Sequence, residues 1–129
     1  MPYYQFTAPT GSATLAHKAE IAAAFTKVHG EVTGAPSAYV QCSFTEVAQD
    51  GIYNAGEPAI APRMVGLIRE GRSRETRGRL IHGLADAWCG ITGDAKDEIA
   101  LFIVEIPGAN VMEGGEILRE ASEDPDAIA

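Results

Sequence analysis

The chain has 129 residues, 46% of them hydrophobic, and a formal net charge of −8. This length suits one domain, and the acidic balance argues against nucleic acid and anionic membranes as partners. No apolar run is long enough to span a bilayer, and no N-terminal signal sequence is recognisable. Cys42 and Cys89 lack a C-x-x-C spacing and are interpreted as reduced core residues, so we expect a cytoplasmic protein.

The first half of the chain predicts a strand, a helix and a second strand. Residues 2–7 are aromatic and alternating, which is typical of a strand, and residues 8–12 predict a loop. Thr14 is the expected N-cap of a helix whose apolar residues recur at helical spacing until Gly34 ends it. Residues 39–47 alternate again and predict the second strand.

The second half predicts the same three elements after a linker. Residues 48–61 contain glycine and proline and predict a hairpin or loop. A strand is expected over 63–68, followed by a helix that Ser73 caps and that ends near Gly93. Residues 98–106 then predict the last strand.

The segment after Asn110 is acidic and contains glycine. Residues 113–129 carry six acidic side chains against the single cation Arg119. We expect a short helical turn over 112–118 and a frayed end after it.

The two halves resemble each other at an offset of 59 residues, which indicates two fused copies of one unit. The helix positions Ile21, Phe25, Val28 and Val32 match Leu80, Leu84, Ala87 and Ile91, and the strand positions Val40, Cys42, Phe44 and Glu46 match Ile99, Leu101, Ile103 and Glu105. We therefore predict a single domain over 1–129, with β-α-β units at 2–47 and 62–106 and a C-terminal segment at 107–129.

This repeat predicts an α/β (α+β) fold. A helical crossover makes the two strands of each unit parallel, and the connection is right-handed. Two such units give a four-stranded sheet with both helices on one face. Two helices cover only that face, and sheets built from parallel pairs normally have both faces covered. Other subunits should therefore cover the second face, so the sequence predicts a homo-oligomer.

An arginine cluster predicts a site for a small anion. Six of the ten cations lie between residues 63 and 79, and all six are arginine, the side chain best suited to gripping carboxylates. Arg69 and Arg72 lie where a strand turns into a helix, so helix-terminal amides can join two guanidiniums around a carboxylate. The alternative is a solvated turn decorated with charge.

Pro2 opens the first unit and is the candidate catalytic base and acid. Removal of Met1 would leave a secondary amine at the chain terminus. A neutral amine can take a proton from an enol hydroxyl, and its protonated form can return that proton to carbon. The alternative is an ordinary Met-Pro start without chemical meaning, and a retained Met1 would leave Pro2 as an amide.

These features together resemble the tautomerase superfamily, and in particular the subgroup of cis-3-chloroacrylic acid dehalogenase. Besides Pro2, the resemblance is carried by His29 within residues 28–34, by the run 69–73, by Glu105-Ile106-Pro107 and by Met112-Glu113. It covers Pro2 to about Leu118 and implies a tautomerase-like homotrimer. It also implies Pro2 and Glu113 as catalytic residues and His29, Arg69 and Arg72 as substrate-binding residues. Phe102 occupies the position of the subgroup's tyrosine and is expected to line an apolar pocket wall.

The predicted function is that of a cofactor-independent tautomerase for enol or 2-oxo acids, whose carboxylate the arginines hold. The three histidines share no metal-ligand spacing, so no metal is expected. Phe102 lacks the tyrosine hydroxyl and therefore disfavours the first alternative, a hydratase or dehalogenase of cis-3-haloacrylates. The second alternative is a non-catalytic trimeric binding protein.

Overall fold

The computed structural model describes residues 1–129 and consists of a four-stranded sheet, two long helices and two small hairpins. In chain order the elements are β1 (Tyr3–Pro9), α1 (Ala13–Ala16), α2 (Lys18–Thr33), β2 (Gln41–Val47), β3 (Tyr53–Asn54), β4 (Glu57–Pro58), β5 (Arg63–Arg69), α3 (Arg74–Thr92), β6 (Ala100–Ile106), β7 (Met112–Glu113) and β8 (Glu116–Ile117). None of the helices is both long and apolar enough to cross a membrane.

The sheet confirms the repeated β-α-β architecture. Its strand order is β2-β1-β5-β6, with β1 parallel to β2, β5 parallel to β6, and the two units joined by an antiparallel β1–β5 pair. Both long helices pack on one face, where they enclose the core cluster. Its fully buried members are Tyr4, Phe6, Ile21, Phe25, Met64, Ile68, Leu80, Leu84 and Trp88.

The helix ends repeat as the two sequence units predict. Gly34 and Gly93 cap α2 and α3 with φ of 78° and 79°, a left-handed conformation that glycine adopts without steric cost. The hydroxyls of Thr33 and Thr92, one residue earlier, each donate to the carbonyl four residues back. Ser73 caps α3 as predicted, because its hydroxyl accepts a hydrogen bond from the amide of Thr76 at 3.1 Å.

The prediction that Thr14 caps the first helix is wrong. Ser12 caps the short α1, and α2 begins separately at Lys18. Thr14 lies inside α1, fully buried, and accepts a hydrogen bond from the indole nitrogen of Trp88 at 3.0 Å. This long-range contact uses the hydroxyl that the local pattern assigned to a cap.

The strands begin and end at slightly different residues from those predicted. β1 continues to Pro9, whose register partner is Val47, so the loop expected at 8–12 is shortened to residues 10–12. Residues 37–39 and 96–98 each form a 3-10 turn before β2 and β6. The linker forms the β3–β4 hairpin, as one of its two predicted forms.

The prediction for the C-terminal segment is wrong in two respects. Residues 112–117 form the β7–β8 hairpin rather than a helical turn, because Gly114 and Gly115 adopt positive φ of 61° and 81° and allow a tight reversal. The end of the chain is also packed rather than frayed, since the Ile128 amide donates to the Thr33 carbonyl at 2.9 Å. The segment therefore crosses the end of α2.

The second face of the sheet carries exposed apolar side chains. Phe102 is 54% exposed and Val104 is 44% exposed, both on β6. Their neighbours Leu101 and Ile103 point the other way and pack against the core. No helix covers this face, as predicted for a four-stranded sheet with both helices on one side.

Candidate active site

A cavity of about 340 Å³ lies where the end of α2, the turn between β5 and α3, the β7–β8 hairpin and the C-terminal segment meet. This volume lies within the range of small-molecule sites. Fourteen residues line the cavity: Met1, His29, Ala35, Pro36, Tyr39, Arg69, Arg72, Glu113, Glu116, Ile117, Leu118, Arg119, Asp124 and Asp126. Four of the six residues proposed from the sequence, His29, Arg69, Arg72 and Glu113, thus lie on one cavity.

Arg72 is a buried cation with few partners. Its side chain lies in the turn before α3, and the residue is only 6% exposed. The Nη1 group donates to the Arg69 carbonyl at 3.0 Å, whereas Nε has no hydrogen-bond partner in the chain. Burial, and then the neighbouring charge of Arg69, lower the pKa of Arg72. A buried guanidinium with unused donors is costly unless an anion completes its contacts, so Arg72 favours an anionic ligand.

Arg69 is already paired within the chain. Its Nη2 donates to Asp124 Oδ2 at 2.8 Å, and its Nη1 donates to the Arg119 carbonyl at 2.8 Å. The hydrogen bond from Arg69 lowers the pKa of Asp124. The acidic C-terminal segment, which the sequence did not connect with the site, therefore balances one of the two arginines and leaves Arg72 with the less compensated charge.

His29 lies near the end of α2 and is 3% exposed. Its Nδ1 is 2.6 Å from the hydroxyl of Tyr4, a fully buried residue of β1. Burial, followed by the charge of Arg72 and that of the N-terminus, lowers the pKa of His29 to about 3. The imidazole is therefore neutral at physiological pH, so it is able to bind a ligand through hydrogen bonds but not through charge.

The N-terminus reaches the same cavity. The Met1 ammonium pairs with Glu113 Oε1. Glu113 Oε2 accepts a long hydrogen bond of 3.4 Å from the side-chain amide of Gln41. Pro2, the next residue, is buried, and its carbonyl accepts a hydrogen bond from the backbone nitrogen of Gln41 at 3.1 Å. Pro2 thus adjoins the cavity, and its nitrogen lies in a peptide bond as long as Met1 is present.

Phe102 is separated from these residues within one chain. It projects from the second face of the sheet and does not line the cavity. The sequence also missed two residues of the site: Tyr4, interpreted as core or interface, and Asp124, interpreted as part of a frayed acidic end. No group of three or more His, Cys, Asp or Glu side chains has an arrangement suited to a metal ion.

The tandem β-α-β sheet thus places a buried arginine and a neutral histidine on one cavity, an arrangement suited to a small anionic ligand. The chain belongs to the Tautomerase_3 family, described as "Putative oxalocrotonate tautomerase enzyme", whose match covers residues 1–118. This confirms the resemblance to the tautomerase superfamily. No curated protein matches the chain.

Solved structures share the fold across most of their length. N1, a member of the cis-3-chloroacrylic acid dehalogenase family, has a TM-score of 0.87 and 23% identity, over 92% of this chain and 84% of that chain. Pt0534 inactivated by 2-oxo-3-pentynoate has a TM-score of 0.79 and 26% identity, over 90% and 94%. The Q0 fused 4-OT symmetric trimer has a TM-score of 0.81 and 22% identity, over 90% and 94%.

Proposed function

We propose that the protein is a cofactor-independent tautomerase of enol and 2-oxo acids, with Pro2 as general base and acid once Met1 has been removed. The observation that carries this proposal is the buried Arg72, whose Nε is unpartnered, in the cavity that the N-terminus reaches. A similar protein, Pt0534, is inactivated by 2-oxo-3-pentynoate, which is a 2-oxo acid. That inactivation supports the same class of substrate here.

Each proposed residue has a defined role in the reaction. Arg72 and His29 hold the carboxylate or the adjacent carbonyl, and Arg69 adds charge while Asp124 orients it. The Pro2 amine takes the proton from the enol hydroxyl, a carbonyl forms, and the electron pair of the C=C bond takes the proton back from the prolinium at carbon. The O–H bond is replaced by a C–H bond, with no change of oxidation state. Glu113, which pairs with the Met1 ammonium, is proposed to stabilise the cationic Pro2 amine once Met1 has been removed.

The second candidate function is hydration or dehalogenation of cis-3-haloacrylates, because Glu113 lies in the cavity and can serve as a base for water. We expect enol–keto tautomerisation of phenylenolpyruvate, followed by ultraviolet absorbance, to exceed turnover of cis-3-chloroacrylate.

Phe102→Tyr should raise haloacrylate turnover more than tautomerisation, since the new hydroxyl can help Glu113 activate water. Equal or lower dehalogenation in that variant would contradict the role assigned to position 102.

The role of Phe102 requires a second subunit. Because it lies on the uncovered face, it joins a cavity only if oligomerisation brings that face to a neighbouring site. We propose a homotrimer, which the trimeric assembly of the fused 4-OT relatives supports. Light scattering should give three times the chain mass at micromolar concentration, and Phe102→Asp should shift this mass towards that of the monomer, because it places a charge on the apolar face. A stable wild-type monomer would contradict the proposal.

A further inference from the structure

Tyr4 and His29 form a buried, hydrogen-bonded pair of side chains. The phenol oxygen lies 2.6 Å from His29 Nδ1, and the two rings meet edge to face with centroids 5.7 Å apart. Trp88, at the equivalent position in the second unit, is a fully buried core side chain. The first unit therefore has a histidine at the position where the second unit has an aromatic core residue. Tyr4 is the buried hydrogen-bond partner of this histidine.

The position of the Tyr4 ring is determined by its neighbours. Phe25 packs edge-on against it with centroids 5.2 Å apart. On β5, Gly66 is the cross-strand partner of Tyr4, and a Cβ at Gly66 would lie 2.7 Å from the Tyr4 ring. The absence of a side chain at Gly66 thus makes room for the ring, and packing on both sides leaves the hydroxyl directed at His29.

The direction of this hydrogen bond follows from the donors available. The Tyr4 hydroxyl is buried and has no partner in the chain except His29 Nδ1. If Nδ1 carried a proton and donated, the phenol hydrogen would have no acceptor, which is unfavourable in a buried site. The hydroxyl therefore donates to Nδ1. In a neutral imidazole the single proton then lies on Nε2, and Nε2 makes no hydrogen bond within the chain.

We propose that Tyr4 is a positioning residue that fixes His29 as the Nε2–H tautomer, so that His29 donates a hydrogen bond to a substrate oxygen in the cavity. The lowered pKa of His29 agrees with this role, because a ring that stays neutral keeps one donor and one acceptor nitrogen. The inference rests on the proposed function for the identity of the substrate. The tautomer itself does not depend on it.

The first test requires no substitution in the pair. Nitrogen-15 NMR of the full chain distinguishes a protonated, pyrrole-type nitrogen from an unprotonated, pyridine-type one. For His29 we expect a pyridine-type Nδ1 and a pyrrole-type Nε2, with the resonances assigned by their loss in His29→Ala. A proton found on Nδ1 of wild-type His29 would overturn the proposal.

The second test is kinetic. Tyr4→Phe should raise KM by about fivefold to tenfold and change kcat less, because one oriented donor to the substrate is lost. Tyr3→Phe is the matched control, since Tyr3 also loses a hydrogen bond, to Ser43 at 2.9 Å, but on the other face of β1. In a His29→Ala background Tyr4→Phe should add little. Equal additive losses in both backgrounds would show that Tyr4 does not act through His29.

A third measurement separates this inference from the proposed function. Phenylacetate, a monocarboxylate that cannot undergo the enol–keto reaction, should shift the His29 Nε2 resonance of the wild-type protein. The shift of this resonance should be smaller in Tyr4→Phe. If that shift occurs without any tautomerase activity, the proposed function fails and the positioning role stands. If turnover is normal and phenylacetate leaves Nε2 unchanged at saturation, the donor role of His29 is overturned.

Discussion

Blocking the Pro2 nitrogen is expected to lower kcat/KM for an enol acid by about 10²–10⁴-fold, the range typical of a lost general acid–base group. A lysine inserted between Met1 and Pro2 should prevent removal of Met1 and keep Pro2 in a peptide bond. The added residue keeps a terminal amine close to the cavity, so the loss reports on the position and type of the nitrogen.

Pro2→Ala is the graded comparison for this experiment. Its small residue still permits removal of Met1 and leaves a terminal amine, although a primary and less rigid one, so the loss should be smaller than that of the insertion. Intact-mass spectrometry must accompany each assay, because the mechanism requires the wild-type chain to start at Pro2. Wild-type turnover by a chain that retains Met1 quantitatively would rule out Pro2 as the base.

The second large effect is expected at Arg72. Arg72→Ala should lower kcat/KM by about one to two orders of magnitude, since charge-assisted hydrogen bonds contribute roughly 1.5–3 kcal/mol each. Arg72 is the more sensitive of the two site arginines because Arg69 is already paired with Asp124 at 2.8 Å. Arg79→Ala is the matched control, since Arg79 is an exposed arginine of α3 that does not line the cavity.

Arg72→Ala should also change the pH profile in a defined direction. Under the proposed mechanism, removing a cation from the cavity that the N-terminus reaches should favour the protonated form of the Pro2 amine and raise its pKa. The base is active when neutral, so the ascending limb of kcat/KM should move to higher pH. Arg72→Lys should restore the position of this limb better than KM, because lysine keeps the charge but loses the planar fork. If Arg72→Ala keeps wild-type efficiency and an unchanged pH profile, Arg72 does not bind the substrate and the anion site is contradicted.

Local sequence patterns determined most of the fold of this protein. The β-α-β repeat, the caps at Ser73, Gly34 and Gly93 and the parallel pairing within each unit depend on periodicity and on residues with narrow backbone preferences. The Arg69 and Arg72 pair was also recognisable, because a strand-to-helix turn places both residues beside the helix N-terminus. The caps and the turn are short-range relations within one segment, and the parallel pairing follows from the helix that connects the two strands of each unit.

Tertiary structure alone decided how the site is completed. Tyr4 and His29 are 25 residues apart, and Arg69 and Asp124 are 55 apart. The sequence around Tyr4 and around Asp124 does not indicate either pairing. Tyr4 has the pattern of a core residue, and Asp124 lies in a segment with the pattern of a solvated acidic end. The Tyr4–His29 contact forms because the sheet face bearing Tyr4 packs under α2, and the Arg69–Asp124 contact because the C-terminal segment folds back beside α2. A hydrogen bond between distant segments depends on that packing, so the hydroxyl of Tyr4 and the carboxylate of Asp124 acquire their roles only in the folded chain.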